Sequence, residues 1–125
     1  IVDCRFQYEY DAGHIKNAIN ISSPSELEAF FFSDRLAQFM QRRTILIFHC
    51  EFSMKRAPDL WSTLRNLDRH INIEKYPQLC YPESYVLEGG FSQFYEDTNT
   101  IAWVNTLKWM TTKRTLINVT LGSEA

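Results

Sequence analysis

The apolar run at residues 44–48 constrains the fold of this 125-residue chain more than any other segment. Its residues do not alternate between polar and apolar, a pattern typical of a strand that is buried on both faces. Such strands belong to parallel sheets that carry helices on both sides. We therefore expect an α/β fold with a central parallel sheet.

Strands and helices alternate along the rest of the chain. Further strands are predicted at residues 1–4, 18–21 and 84–87. Ser23 and Glu26 form a capping box with a proline at the first helical position, so a helix is expected to begin there. The apolar stripe of this helix is Leu27, Phe30, Phe31 and, after a break near Ser33, Leu36, Phe39 and Met40. Other helices are predicted at residues 57–70 and from residue 91, whereas the segment after residue 98 mixes helical spacing with a β-prone run at residues 115–121.

Composition indicates a single globular domain at residues 1–125. Hydrophobic residues make up 45% of the chain and charged residues 22%, and the formal net charge is −2. This balance argues against a nucleic acid or an anionic membrane as partner, and no apolar run reaches the ~18 residues of a membrane helix. The three cysteines are too few for a disulfide framework, which suits a reducing compartment. We expect a soluble intracellular monomer, and the strand at the first residue predicts that the fold's first elements lie outside this chain.

The sharpest motif is His49-Cys50 followed by Arg56, an H-C-x5-R pattern between the apolar strand and a helix. A loop in that position can direct main-chain N–H groups and the positive end of the helix dipole at a tetrahedral oxyanion. Arg56 can hold two phosphate oxygens through its guanidinium fork. Cys50 is then a candidate nucleophile that forms a phosphocysteine. The alternative is a buried cysteine with an arginine at this spacing by chance.

Many residues around this motif belong to one recognisable set. They are DCR at residues 3–5, YEY at 8–10, GHIK at 13–16, AIN at 18–20, ILIFHCEFS at 45–53, Arg56, Pro58, YP at 76–77, YPE at 81–83, Tyr85, Leu87, GG at 89–90 and Phe94. Together they resemble the M-phase inducer phosphatases (the cell division cycle 25 family). The resemblance is strongest over residues 1–96, and residues 97–125 form a divergent tail.

The resemblance implies a rhodanese-like three-layer fold and a dual-specificity phosphatase without metal or organic cofactor. The implied substrate is a cyclin-dependent kinase in complex with a cyclin. Removal of phosphate from its phosphotyrosine and phosphothreonine activates the kinase for mitosis, in the nucleus and the cytoplasm. Cys50 is the implied nucleophile, Glu51 assists proton transfer and His49 tunes the nucleophile. The implied phosphate-binding loop consists of Glu51, Phe52, Ser53, Met54, Lys55 and Arg56.

The resemblance also assigns roles outside the loop. Arg65, Arg69 and Tyr76 match residues that dock the protein substrate, although two arginines on one helix face are also common on a solvated surface. Cys4 matches a cysteine that forms a protective disulfide with the nucleophile; the plainer interpretation is a small buried apolar residue. The scattered histidines, including His14, lack the cysteine pairs of a metal site, so no metal is expected.

Two residues of the loop region depart from the family pattern. Lys55 replaces the usual glutamate before the loop arginine, and Ala57 replaces the usual glycine. A catalytically weakened phosphatase that only binds the kinase is therefore one alternative. An arsenate reductase on the same fold is another. A sulfurtransferase is disfavoured, because sulfurtransferases of this fold have a loop one residue shorter.

Overall fold

The computed structural model describes residues 1–33, 36–41 and 43–98. Its sheet has the strand order β2-β1-β3-β4, and every neighbouring pair is parallel. The strands are β1 (Val2–Asp3), β2 (Ile19–Asn20), β3 (Leu46–His49) and β4 (Ser84–Val86). The predicted parallel α/β architecture is therefore confirmed, and all four strands lie within or overlap the predicted segments.

The helices pack on both sides of this sheet. They are α1 (Gln7–Ala12), α2 (Pro24–Phe31), α3 (Leu36–Met40), α4 (Arg56–Ile71) and α5 (Gly90–Thr98), with a short 3₁₀ helix at Ile73–Lys75. The predicted helix start is confirmed, because the Ser23 hydroxyl accepts the main-chain N–H of Glu26 at 3.2 Å. The Glu26 carboxylate accepts the hydroxyls of Ser22 and Ser23 rather than the Ser23 main-chain N–H, so the bond that would complete a capping box is replaced. The sequence analysis did not predict α1, which lies in a polar segment with no apolar stripe.

Alternate side chains of β3 enter two separate apolar clusters. Leu46 and Phe48 pack with residues of α2 and α4. Ile45, just before the strand, and Ile47 pack on the opposite face with residues of α5. The absence of a polar face in this segment thus has the predicted cause, and the fold has three layers.

Met40 was expected on the inward stripe, but its side chain is 56% exposed, so that prediction is wrong. The short α3 ends at Met40 and leaves it at the surface.

The predictions for the C-terminal segment, helical spacing at Ile101, Val104 and Leu107 and the β-prone run at residues 115–121, lie outside the described residues. Among the described helices, none combines the length and the hydropathy that a membrane-spanning segment needs. The assignment of residues 1–125 to one domain stays a prediction.

Candidate active site

The loop at residues 50–55 leaves the carboxyl end of β3 and leads directly into α4. In a parallel sheet the carboxyl ends of neighbouring strands meet at one edge, where ligands of open α/β sheets bind. Asp3 of β1 pairs with His49 of β3, and the main-chain N–H of Cys4 donates to the His49 carbonyl at 2.7 Å. The sheet therefore brings the segment after β1 alongside the loop.

Cys50 is buried at the base of the loop, with 3% of its surface exposed. Its Sγ atom accepts the main-chain N–H of Ala57 at 3.4 Å, in the first turn of α4. A helix N-terminus presents unpaired N–H groups and a partial positive charge, which stabilise an anion. Ala57 is already helical and fully buried, so the methyl group that replaces the family's glycine is accommodated.

Several main-chain N–H groups of the loop have no hydrogen-bond acceptor within the described residues. Among the described residues, the amides of residues 51–55 form no hydrogen bond. Ser53 takes a positive φ of 54°, and its hydroxyl accepts the N–H of Cys50 at 3.4 Å. These amides are therefore available to an oxyanion that binds beside the Cys50 sulfur.

The first turn of α5 is hydrogen-bonded to the main chain of the loop. The main-chain N–H groups of Phe91 and Ser92 donate to the carbonyls of Cys50 and Glu51, both at 2.9 Å. Gly90 has a φ of +63°, and its Cα lies so near the loop that a side chain would meet the Cys50 and Glu51 backbone. A glycine at this position therefore allows the close approach.

Arg56, at the end of the loop, forms a two-point ion pair with Glu9 of α1. Its Nη1 and Nη2 atoms lie 2.6 and 3.3 Å from the two Glu9 carboxylate oxygens. This pairing lowers the pKa of Glu9, and the same hydrogen bond raises the pKa of Arg56. The ring of Phe6 lies 5.3 Å from the Arg56 Cζ atom.

A buried ion-pair network lies beneath the loop. Arg5 binds Asp3 through Nε and Nη2 at 3.0 and 2.8 Å, and both side chains are buried. The Nη1 atom of Arg5 lies 3.4 Å from the Glu51 carboxylate, and its Cζ atom lies 4.1 Å from the Phe91 ring centroid. Glu51, expected to assist proton transfer, is thus joined to the first strand through Arg5.

His49 is fully buried directly before the loop at residues 50–55. Its Nδ1 atom lies 3.2 Å from the Cys50 carbonyl oxygen, and its Nε2 atom lies 3.8 Å from the Asp3 carboxylate. Within the described chain, Nε2 has no hydrogen-bond partner. Burial lowers the pKa of His49 despite the opposing effect of Asp3, so the imidazole is neutral at physiological pH.

The two cysteines of the predicted redox pair are both buried and unpaired. Burial raises the pKa of the Cys4 thiol, and the neighbouring Cys50 and Asp3 raise it further. Cys4 and Cys50 each follow a paired β1–β3 residue, so they continue the register at the same edge of the sheet. Cys80 lies elsewhere, where its Sγ atom is 3.3 Å from Asn72.

The predicted docking residues lie on and after α4. Arg65 donates to the Ser84 hydroxyl at 2.8 Å, so its guanidinium is directed toward the start of β4. Arg69 instead lies 5.1 Å from the Tyr76 ring centroid and donates to the Pro77 carbonyl at 3.3 Å. The structure thus brings Arg69 and Tyr76 together at the surface and holds Arg65 against the sheet.

The outer side of the loop exposes both apolar and charged side chains. Phe52 and Met54 are 58% and 84% exposed, although both are apolar. The Lys55 ammonium lies 3.3 Å from the Asp59 carboxylate one turn into α4. In the part of the chain that the structure describes, no group of three or more potential ligands is placed to hold a metal ion.

Sequence reasoning left three contributions to this site unassigned. These are the pairing of Asp3 with Arg5, the pairing of Glu9 with Arg56, and the close approach of Gly90 to the loop. Two sequence features could have indicated the first and the third of these contributions. They are the opposite charges on either side of Cys4 and the adjacent glycines at residues 89 and 90. No local pattern indicated that Glu9 would meet a residue 47 positions further along the chain.

Comparison with known domains agrees with this architecture. A family model described as a rhodanese-like domain matches residues 1–97. The chain belongs to the rhodanese-like domain family. The predicted fold is thereby confirmed, since the match includes every described strand.

Curated relatives of this rhodanese-like domain are named M-phase inducer phosphatases. One from Emericella nidulans is 44% identical over 103 residues, which are 82% of this chain and 18% of that protein. One from Dictyostelium discoideum is 50% identical over 99 residues, 77% of this chain and 9% of that protein. The human M-phase inducer phosphatase 2 is 46% identical over 96 residues, 76% of this chain and 16% of that protein. The resemblance stated from the sequence is confirmed, and the chain spans less than a fifth of these three relatives.

Solved structures give the same fold. An As-Sb reductase from Leishmania major superposes with a TM-score of 0.60 at 25% identity, over 78% of this chain and 63% of that chain. A yeast protein tyrosine phosphatase of the rhodanese family superposes with a TM-score of 0.54 at 24% identity, over 85% of this chain and 77% of that chain.

Proposed function

We propose that this domain is a cysteine-dependent, dual-specificity protein phosphatase. The observation that carries the proposal is the placement of the buried Cys50 sulfur against the Ala57 N–H at the start of α4. It lies in a loop whose amides at residues 51–55 form no hydrogen bond among the described residues, and Arg56 follows directly. This is an anion-binding loop with a nucleophile at its base.

The reaction proceeds in two displacements. The Cys50 thiolate attacks phosphorus, an S–P bond forms, and the ester P–O bond breaks as the leaving oxygen takes a proton. Glu51 lies at the loop with 34% of its side chain exposed, and we assign it this proton transfer. Water then attacks phosphorus and gives a proton to the Glu51 carboxylate, the S–P bond breaks, and phosphate leaves with the thiolate and Glu51 restored.

The loop and Arg56 stabilise charge in both steps. In the transition state charge spreads over the equatorial phosphate oxygens, where main-chain N–H groups and a guanidinium fork are the matching donors. His49 contributes indirectly, because its neutral ring lies against the Cys50 carbonyl and positions the loop. No step requires a metal or an organic cofactor.

The proposed substrate is a cyclin-dependent kinase bound to its cyclin, phosphorylated on neighbouring threonine and tyrosine residues. Support comes from the relatives named M-phase inducer phosphatases. Dephosphorylation would activate the kinase at entry into mitosis, in the nucleus and the cytoplasm. Arg65, Arg69 and Tyr76 would dock the kinase complex. Arg69 and Tyr76 already form one surface contact that a protein partner can cover.

Dephosphorylation of a doubly phosphorylated kinase–cyclin complex, measured beside a generic aryl phosphate, tests the substrate. We expect turnover of both, with a much higher kcat/KM for the kinase complex. Arg69→Ala should lower kcat/KM for the kinase complex and leave aryl phosphate hydrolysis unchanged. Equal losses on both substrates would contradict a docking role.

The second candidate is an arsenate reductase. It is favoured by the superposition on the Leishmania As-Sb reductase, whose 25% identity accompanies a shared fold. The discriminating assay supplies arsenate and a thiol reductant to the same preparation and measures arsenite. Arsenite formation without aryl phosphate hydrolysis would replace the phosphatase assignment.

A further inference from the structure

We propose that Glu9 is a positioning residue that fixes the guanidinium of Arg56 for phosphate binding. This inference rests on the proposed phosphatase function and adds a residue to it. Glu9 lies 47 positions before Arg56 in the sequence, and the fold brings its carboxylate to 2.6 Å from Arg56 Nη1.

The way in which the two side chains meet supports positioning. A guanidinium has five N–H donors in a rigid plane. Glu9 contacts Nη1 and Nη2, the two terminal nitrogens, with one carboxylate oxygen on each. Glu9 does not use Nε–H or the second N–H of each terminal nitrogen, and a hydrogen bond of the Arg56 side chain with Cys50 also raises the Arg56 pKa, which places the guanidinium beside the sulfur. Arg56 can therefore keep its pairing with Glu9 while a second edge of the same plane binds phosphate oxygens.

Glu9 is itself held in place. Its Oε1 atom accepts the main-chain N–H of Phe6 at 3.1 Å, which closes the first turn of α1. Its side chain is 19% exposed, so little water competes for the carboxylate. The ring of Phe6 also approaches the guanidinium, at 5.3 Å. The first turn of α1 thus forms a fixed cradle for the arginine.

The cradle matters because Arg56 is partly exposed, at 34% of its side chain. An unrestrained arginine samples many rotamers, and ordering it on substrate binding costs conformational entropy. A carboxylate that restricts the guanidinium before substrate arrives removes part of that cost. A misplacement of about 1 Å in a positioned catalytic group can reduce a rate by roughly a hundredfold.

Glu9→Gln is the informative variant. A glutamine at this position can still accept the Phe6 N–H, as capping boxes with glutamine do, so α1 keeps its cap. It removes the carboxylate charge and one of the two acceptors for Arg56. The matched control is Asp11→Asn, which removes an exposed charge from the same helix. The full chain is assayed with a generic aryl phosphate, and the inhibition constant of inorganic phosphate is measured on each variant.

We expect Glu9→Gln to lower kcat/KM on the order of tenfold to a hundredfold and to weaken phosphate inhibition. Asp11→Asn should match the wild type within about twofold, which corresponds to about 0.4 kcal/mol in activation free energy. In an Arg56→Lys background the Glu9→Gln change should have little further effect, because lysine cannot form the fork that Glu9 positions. A merely structural role would instead give additive losses.

Two outcomes would overturn the inference. One is wild-type kinetics in Glu9→Gln. The other is tighter phosphate binding in that variant, which would mean that Glu9 competes with phosphate for Arg56. If the wild type hydrolyses no aryl phosphate, the proposed function fails, and direct binding of inorganic phosphate to the wild type and Glu9→Gln still tests the positioning of Arg56. Weaker binding by the variant would then support it, and equal binding would refute it.

Discussion

A Cβ atom on Gly90 would lie 2.5 Å from the carbonyl oxygen of Cys50. Real Cβ atoms do not come this close to a backbone oxygen, so the loop at residues 50–55 and the first turn of α5 are in contact through a residue without a side chain. The next residue, Phe91, donates its N–H to the same Cys50 carbonyl. One carbonyl group thus joins the base of this loop to the helix layer that contains α5.

Gly90→Ala is expected to destabilise the domain by about 1–3 kcal/mol, because alanine combines a strained positive φ with contact against the loop backbone. It should also lower kcat/KM, since the shift is transmitted to Cys50. Urea denaturation and aryl phosphate kinetics measure the two effects. Ser92→Ala, in the same helix, is the control and should change stability by no more than about 0.5 kcal/mol. A Gly90→Ala protein with unchanged stability and activity would contradict the close approach.

The fold could be predicted largely because β3 has no polar face. Parallel strands that are covered on both sides leave this signal in the sequence, and Ser23 with Pro24 and Glu26 marks the start of α2 just as clearly. The exposure of Met40 could not be predicted. Helical spacing continues through it, but the short helix ends there.

The sequence predicts the candidate site only where the residues concerned are close along the chain. His49, Cys50 and Arg56 lie at the end of β3, in the loop and at the start of α4, and their spacing predicts an anion site. Glu9 is brought to Arg56 by the packing of two separate helices, and no local sequence rule reports such a contact. The same holds for Gly90. A glycine in the sequence does not indicate which part of the chain it approaches, and only the structure shows its contact with the loop.

His49 should make the stability of the domain dependent on pH. Burial lowers the pKa of His49 below its ordinary value of 6.5, so the unfolded chain binds a proton more readily than the folded one. The free energy of unfolding therefore falls as the pH drops below 6.5, by at most about 1.4 kcal/mol per pH unit.

His49→Asn removes the titrating imidazole. The free energy of unfolding of this variant should therefore depend less on pH below 6.5. The measurement is urea denaturation of both proteins at several values between about pH 5 and pH 8, where histidine is the side chain expected to titrate. Parallel curves for the two proteins would show that His49 is not the responsible group.

Cys4 is expected to protect Cys50 from irreversible oxidation. Hydrogen peroxide oxidises the Cys50 thiolate to a sulfenic acid; the Cys4 sulfur then attacks that sulfur, water leaves, and a disulfide forms. Peroxide-treated wild type should recover most of its activity with dithiothreitol, whereas Cys4→Ser should lose it permanently. Peptide mapping provides the decisive observation. Sulfinic acid at Cys50 with Cys4 still a free thiol in the wild type would rule out this role.

Lys55→Glu distinguishes an active phosphatase from a weakened one. The Lys55 ammonium is exposed and pairs with Asp59, so its charge is partly neutralised at the mouth of the loop. We expect the variant to change aryl phosphate kcat/KM by less than about threefold, and to lose a few tenths of a kcal/mol of stability through repulsion with Asp59. Lys55→Gln is the neutral control. A large gain in rate for the glutamate variant alone would instead identify a domain whose turnover had decayed.

Trapping of the phosphoenzyme tests the central claim most directly. The wild type is mixed with a labelled aryl phosphate and quenched within milliseconds, and the labelled peptide is mapped. We predict a phosphocysteine at Cys50, an equal burst of phenol, and neither label nor turnover in Cys50→Ser, which keeps the loop but lacks the thiolate. Hydrolysis of the aryl phosphate by Cys50→Ser at the wild-type rate, or label at any other residue, would contradict the assignment.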